Sequence, residues 1–561
     1  MRRALTSLEW LALAALVLLA IARASLPLSH DDLFGHLRTG EWVAEHGSVP
    51  KADPFSFTRP GERWITHEWG FSLLAWGVWL LGGYPGLIAA RVILVLLIGI
   101  AVAKRMTAEA EGVRSIPWMF GLLAIGLWAV AGELILRAAL VSELFLAVTL
   151  LLATRYRQTG ERRDLVLLPI LFLVWGNLHS GVIFGLYVLG LQALEALVRR
   201  RAFRPYLLAL GASVLASLCN PNGYEVWLYP FRLSRILFAS GIAWDLGHFS
   251  ALGALGSSAF LILVVLLLAG LLPLTRWREL SLAEILGILT FAALSFRTPR
   301  FVFHFVILAL PVLYRLHARR EWSPGMRRIL AGAVPAVLAL IAATLWLEHP
   351  RRLLDRRLPA GAVRFLEARG VRGRVFHHQN FGGFLLWRTR RPIFWDGRND
   401  VFASLVKEVT TTPFPQIAKR YGIDVLLVTE REFEGLRPEI PERWGLVHWD
   451  DHSALYLRRD AFAPLLARTE LGLFPPFGGR PGLETLARDP RLGPLALREL
   501  DRVLAVDPEI QRALYFRGVI RLYQGRLDDA RRDLEAALAI ADNEQVRKLL
   551  AAVGQIRRRA R

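Results

Sequence analysis

LSHDDLFGHLRTGEWVAEHGSVPKADPFSFTRPGERWITHEWG, residues 28–70, is the first long polar interval of the chain, and it directly follows the apolar run LEWLALAALVLLAIA at 8–22. It carries Asp31, Asp32, Asp53, Glu62 and Glu68, with His30, His36, His46 and His67. Ionisable groups beside a membrane span are costly unless they are solvated or used. Ser29 or Asp31 can cap a helix that begins near Asp32. Leu33, Phe34 and Leu37 give that helix an apolar stripe, and Asp32 and His36, one turn apart, share a face. Residues 47–60 are turn-rich, with Pro50, Asp53-Pro54 and Pro60-Gly61, and Asp53 initiates an Asp-Pro turn. A second apolar helix runs from about Thr66 to Leu81 along the surface and ends at Gly82-Gly83, ahead of a span at 87–102.

Of 561 residues, 54% are hydrophobic and fall in long runs, which points to a polytopic membrane protein. The net charge of +21 comes from arginines that mostly flank those runs. That is the pattern that retains cytoplasmic loops, and it does not mark a nucleic-acid footprint. Cys219 is the only cysteine, so an intrachain disulfide and a zinc–thiolate site are both excluded. The histidines show no HExxH or similar spacing, so no metal or other cofactor is indicated. Ala22-Arg23-Ala24 can be read as a signal-peptidase site, but apolar character resumes through Leu26 and Leu28, which favours a retained anchor.

Further apolar runs lie near 116–132, 140–154, 164–178, 181–198, 205–220, 257–274, 281–296, 301–316 and 328–347, giving eleven spans with the first two. Arginines 155, 157, 162 and 163, then 199–201 and 204, then 276 and 278, then 319, 320, 327 and 328 fall in the loops that this count places in the cytoplasm. An odd count puts the C-terminal third outside. The same topology sets Asn177 and His179, in WGNLHSG, on the outer side with Arg297 and Arg300, in SFRTPRF. Asn177 and His179 either line a pocket or bond between helices. The two arginines either bind a phosphate or snorkel to headgroups. Arg137 and Glu143 flank the start of the fourth span, and Tyr224, Trp227 and Tyr229 read as an interfacial aromatic belt.

A first span followed by an external loop with two juxtamembrane helices resembles the GT-C superfamily of glycosyltransferases, which use polyprenyl-phosphate-linked sugars. HDDLFGHLRTGEWV fills the place of the first juxtamembrane helix, whose opening acidic residue carries catalysis in that superfamily, and THEWG precedes the second. DDLFGHLRTG, DPFSFT, HEWG, WGNLHSG, NPNGY and WDGRND resemble, in order and spacing, a bacterial branch of GT-C-like membrane proteins over most of residues 1–460. The resemblance implies a bacterial cytoplasmic (inner) membrane protein with a polyprenyl-phosphate-linked sugar as partner. In that chemistry a carboxylate takes the acceptor's proton and a positive charge meets the leaving phosphate. Asp32 is the candidate base, or it caps and solvates its helix. Glu68 is the candidate second catalytic carboxylate, or it is interfacial. Arg297 and Arg300 are candidates for the donor phosphate, and Asp31, His36, His67, Asn177 and His179 for substrate binding.

The expected division is a GT-C-like transmembrane domain at 1–349, with its external loop at 28–85, an extracytoplasmic α/β domain at 350–460, a Pro/Gly-rich linker at 461–487 and helical repeats at 488–561. In the α/β part, residues 360–368 read as a helix, GRVFHH as a strand, FGGFLLWRT as a helix, RPIFWDGR as a strand, PFPQIAKRYG as a helix and IDVLLVTE as a strand, with GLVHWDD and HSALYLRR as a hairpin. Asp396-Gly397-Arg398 follows the second strand, either as a turn or as a ligand site. At the C-terminus Ala496, Leu500, Val503 and Pro508 align with Ala530, Leu534, Ala537 and Asp542 at a 34-residue offset, which resembles the tetratricopeptide repeat and implies docking to the protein itself or to one partner. The leading expectation is an enzyme that moves a lipid-linked sugar to an acceptor outside the cytoplasm. A non-catalytic scaffold for envelope or glycan assembly, and a lipid-linked glycan polymerase or ligase, are the alternatives.

Overall fold

A computed structural model of the chain describes residues 6–110, 116–239, 279–318, 324–347, 354–436, 440–477 and 482–559. The span expected at 257–274 lies outside the described residues. The chain divides into two compact units. One holds residues 1–53, 61–354 and 399–403; the other holds 54–60, 355–398 and 404–561.

The first unit is helical: α1 (Ser7–Ala24), α2 (Asp31–His46), α3 (Trp69–Glu109), α4 (Ile116–Ala129), α5 (Ala138–Thr159), α6 (Arg162–Leu178), α7 (Val182–Val198), α8 (Arg204–Leu218), α9 (Glu225–Ala239), α10 (Leu282–Arg297), α11 (Val302–Ala318) and α12 (Pro324–Leu347). Among the described residues four segments are long and apolar enough to cross a membrane: Ser7–Ala24, Trp69–Glu109, Ala138–Thr159 and Pro299–His317. Leucines such as Leu208 and Leu340 face outward, 74% and 69% exposed, as expected where the surrounding solvent is lipid. Trp175, Phe172, Phe291, Phe305 and Tyr314 are fully buried between the helices.

The two helices expected around Gly82-Gly83 meet there. Trp69–Glu109 is broken at one residue, Gly83, with φ 55° and ψ −145°. Only glycine adopts that backbone cheaply, and Pro85 follows at once. α2 packs on the first half of α3. Its start differs from expectation. His30 occupies the cap position without a side-chain cap bond, Asp31 is the first helical residue, and its side chain is buried. Neither Ser29 nor Asp31 is the cap.

At the Glu109 end of α3, charges from four helices pair in the interior. Arg157 donates to Glu109 at 2.6 Å, and Arg315 donates to Glu109 at 3.0 Å and to Glu284 at 2.8 Å. Arg105 adds a 3.3 Å bond to the Ile307 carbonyl. Buried charge persists only when paired and hydrogen-bonded, so this cluster ties α3, α5, α10 and α11 together.

The second unit centres on a four-stranded sheet of order β1-β2-β4-β3: β1 (Arg374–His377), β2 (Ile423–Val428), β3 (Trp444–Trp449) and β4 (Ala454–Arg458). β1 and β2 are parallel; the other pairs are antiparallel. All six residues of β3 are buried, and β2 is buried at five of its six positions. RPIFWDGR is not a strand. It makes one isolated bridge, Ser56 with Ile393, closed by Phe57 N–H to the Ile393 carbonyl and Ile393 N–H to the Phe55 carbonyl, each at 3.0 Å. Asp396-Gly397-Arg398 is a turn, with the Asp396 carboxylate accepting from Arg398 N–H at 3.0 Å and Arg398 Nε at 2.8 Å.

The stretch expected as a linker is structured at both ends, as helices Arg459–Thr469 and Leu483–Arg488. Four helices follow, Leu492–Val506, Gln511–Tyr523, Leu527–Ile540 and Glu544–Arg559. They are bonded to the sheet layer through carboxylates. Buried Glu499 accepts from the backbone N–H groups of Gly472, Leu473 and Phe474 at 2.9–3.2 Å. Asp451, in the β3–β4 turn, accepts from Gln511 and Arg512 N–H at 2.8 and 3.0 Å, supplying the N-terminal cap of that helix.

Candidate active site

Asp32 is the second residue of α2, and its Oδ2 lies 3.1 Å from His30 Nδ1. Burial alone would raise the Asp32 carboxyl pKa; the charge and hydrogen bond of His30, with the charges of His36 and Arg137, together outweigh it and hold Asp32 well below the ordinary carboxylate value. The Asp32 charge in turn raises His30. One turn along α2, His36 Nδ1 meets Ser72 Oγ of α3 at 2.9 Å, and His36 Nε2 lies 3.7 Å from Glu68 Oε2.

Glu68 immediately precedes α3 and is faced by two further imidazoles, His67 Nε2 at 3.6 Å and His179 Nε2 at 3.5 Å, both from Oε1. Burial raises the Glu68 carboxyl pKa, against the pull of His36. Burial also pushes His67 down to about 4 and lowers His36 and His179. The two carboxylates therefore sit in environments that drive their proton affinities apart, the arrangement by which acid and base roles are divided at one pH.

His179 terminates α6 and is oriented from behind. Its Nδ1 accepts from Gly181 N–H at 3.0 Å and lies 2.7 Å from Ser142 Oγ, which itself accepts from Trp175 Nε1 at 2.6 Å. His67 stacks on Tyr229, with ring centroids 3.7 Å apart, and Tyr229 donates to Asp400 at 3.3 Å. Tyr229 is thus buried against the site and is not part of a surface belt. Asn177 donates to the Leu173 carbonyl of its own helix at 2.9 Å and to the Cys219 carbonyl at the end of α8 at 2.8 Å.

The positive charges come from Arg137, ahead of α5, and Arg300, ahead of α11. Both act electrostatically on Asp32 and Glu68. The side chain of Arg297 lies outside the described residues. In the sequence Arg137 stands at a span start without a role, Asp400 closes the WDGRND motif without one, and Ser142 falls in no motif. No spacing rule connects these three to the 28–70 interval.

No family model matches the chain, and no curated protein matches it. Solved structures do. The archaeal oligosaccharyltransferase AglB from Archaeoglobus fulgidus, in complex with an inhibitory peptide and a dolichol-phosphate, aligns with a TM-score of 0.50 at 11% identity, over 76% of this chain and 70% of AglB. ArnT from Cupriavidus metallidurans, bound to undecaprenyl phosphate, aligns with a TM-score of 0.50 at 14% identity, over 80% of this chain and 98% of ArnT. Both are GT-C glycosyltransferases. The chain has the GT-C fold. Within that GT-C fold, the polar stretch between α1 and α3 supplies both central carboxylates, and helix ends contributed by α5, α6 and α11 surround them.

Proposed function

We propose that this protein is an integral membrane glycosyltransferase that transfers a sugar from a polyprenyl-phosphate-linked donor to an extracytoplasmic acceptor. The observation that supports the reading is that Asp32 and Glu68 lie within electrostatic reach of each other beside His36, with Arg137 and Arg300 in reach of both. In the proposed step the acceptor's O–H or N–H bond breaks and its proton passes to Asp32. The acceptor oxygen or nitrogen bonds to the anomeric carbon. The bond from that carbon to the phosphate oxygen breaks, and the polyprenyl phosphate leaves with the electron pair. Arg300 and Arg137 offset the charge that develops on it. The undecaprenyl phosphate bound by ArnT and the dolichol-phosphate bound by AglB support this donor class.

The same reading places the protein in a bacterial inner membrane with eleven spans, its N-terminus inside and residues from 350 onward outside, by the arginine distribution. It takes the C-terminal helices as two tetratricopeptide-type units that dock on the adjoining sheet layer or on a protein partner. The test is a turnover assay on purified full-length protein with a panel of polyprenyl-phosphate sugars, with and without divalent metal, following release of polyprenyl phosphate. Transfer by the wild type and none by Asp32→Asn supports the enzyme. No transfer with any donor favours the scaffold.

A further inference from the structure

The tautomers of the three imidazoles facing Glu68 follow from what their other ring nitrogens meet. His67 Nδ1 lies 3.2 Å from the Ile65 carbonyl, which only accepts. The hydrogen is therefore on Nδ1, and Nε2, towards Glu68, is bare. Ser72 Oγ donates to the Glu68 backbone carbonyl at 3.0 Å, so its lone pair is left for His36 Nδ1–H at 2.9 Å. His36 Nε2 is bare as well. His179 is reversed: its Nδ1 accepts from Gly181 N–H and from Ser142, so its hydrogen is on Nε2 and points at Glu68.

Two bare nitrogens and a carboxylate therefore converge, at 3.7 and 3.6 Å, and three acceptors cannot satisfy one another. The His179 N–H, at 3.5 Å, is directed to Oε1, and among the described residues Oε2 faces the bare nitrogen of His36 at 3.7 Å. One hydrogen on Oε2 turns that oxygen from acceptor into donor towards His36 Nε2, while Oε1 stays the acceptor for the His179 N–H.

We propose that Glu68 carries a proton on Oε2 in the resting protein, directed at the bare nitrogen of His36, and that Ser142 is the positioning residue that keeps His179 as the opposing N–H donor to Oε1. The charged groups around Glu68 divide. Asp32 of α2 and Asp400 favour the protonated carboxyl, whereas His36, Arg137 and Arg300 oppose it when charged, as do His67 and His179. Burial, the largest influence, favours protonation. With Ser142 and Gly181 both donating to Nδ1, His179 cannot readily take a second proton and become a cation that would ionise Glu68. As a catalytic assignment the inference rests on the transferase reading: a protonated Glu68 leaves Asp32 as the carboxylate able to accept the acceptor's proton. As a statement about the resting site it needs no turnover, so failure to find a donor leaves it standing.

The experiment is infrared difference spectroscopy on the full chain in lipid nanodiscs near neutral pH. A carboxylic-acid C=O band present in the wild type, lost in Glu68→Gln and moved but kept in Glu68→Asp is the expected result. In Ser142→Ala the pH midpoint of that band should fall by about one unit, the scale of a single altered charge neighbour, and Ser142→Thr should restore it. A Glu68 signal ionised at neutral pH overturns the proposal. So does a protonated band that appears only after a metal chelator is added, because a cation would then occupy the place assigned to the proton.

Discussion

Gly40 of α2 lies directly against Ser72 of α3: a Cβ at Gly40 would stand 2.6 Å from the Ser72 carbonyl carbon and 2.8 Å from Trp76 Cβ. That approach brings the helix carrying Asp32 and His36 against the one that begins just after Glu68. Gly40→Ala should force the helices apart and lower stability by about 1–3 kcal/mol, the usual cost of overpacking. The His36–Ser72 bond, one helical turn away, should weaken with it. Thermal unfolding in detergent and turnover should fall together. An unchanged melting temperature would show that the α2–α3 contact yields freely.

Asp32→Asn keeps the size of the side chain and removes its charge. Turnover should fall at least about 100-fold, the low end for loss of a general base, while donor binding stays close to wild type and the melting temperature falls only by what the lost His30 pairing contributes. Arg300→Ala should instead raise the donor KM with a smaller change in kcat. Equal effects of the two substitutions on KM and kcat would count against the division of labour proposed for them.

The His30–Asp32 pair sets a pH dependence of stability. Asp32 is depressed, so its contribution is present above its ordinary value of 3.8 and is lost as pH falls through the lower folded value. His30 is raised, so its contribution is complete below its ordinary 6.5 and is lost as pH rises through the higher folded value. The difference in melting temperature between wild type and His30→Gln should therefore be largest at about pH 5–6 and shrink on the alkaline side. A difference that grows with pH would reverse the assignment.

At the other end of α3, Arg315→Met leaves Glu109 and Glu284 without a shared partner; their side chains are 3% and 4% exposed. Breaking a buried pair from one side costs about 3–5 kcal/mol. The double substitution with Glu284→Gln should recover part of the loss, and a thermal-shift cycle over the four proteins measures the coupling.

The polar interval and its two carboxylates were legible because they lie between apolar runs, so position along the chain alone brings Asp32 and Glu68 to neighbouring helix starts. Arg137, Ser142, Tyr229 and Asp400 were not legible in these roles, since each depends on packing between elements far apart in sequence. RPIFWDGR has the aromatic and β-branched character of a strand, but its Ile393 pairs with a single bridge residue, so composition outran partnership. The helix Asn399–Thr411 did carry a signal, Val401, Phe402, Leu405 and Val406 at helical spacing and all buried; the neighbouring Asp-Gly turn drew the reading away from it.

Residues 54–60 belong to the second unit although they interrupt the first in sequence. The Thr58 hydroxyl donates to the Phe394 carbonyl across 336 positions, and Arg59 donates to Glu408 and to the Tyr421 hydroxyl, each at 3.0 Å. On the ribosome these seven residues emerge early and wait, with Phe55 unburied, until the last third of the chain has been made. Completion of the sheet-bearing unit is therefore a late, long-range closure, slow by its contact order. A fragment starting at residue 355 is born without one of its own parts. It should be recovered in soluble form only when a peptide spanning 50–63 is supplied in trans.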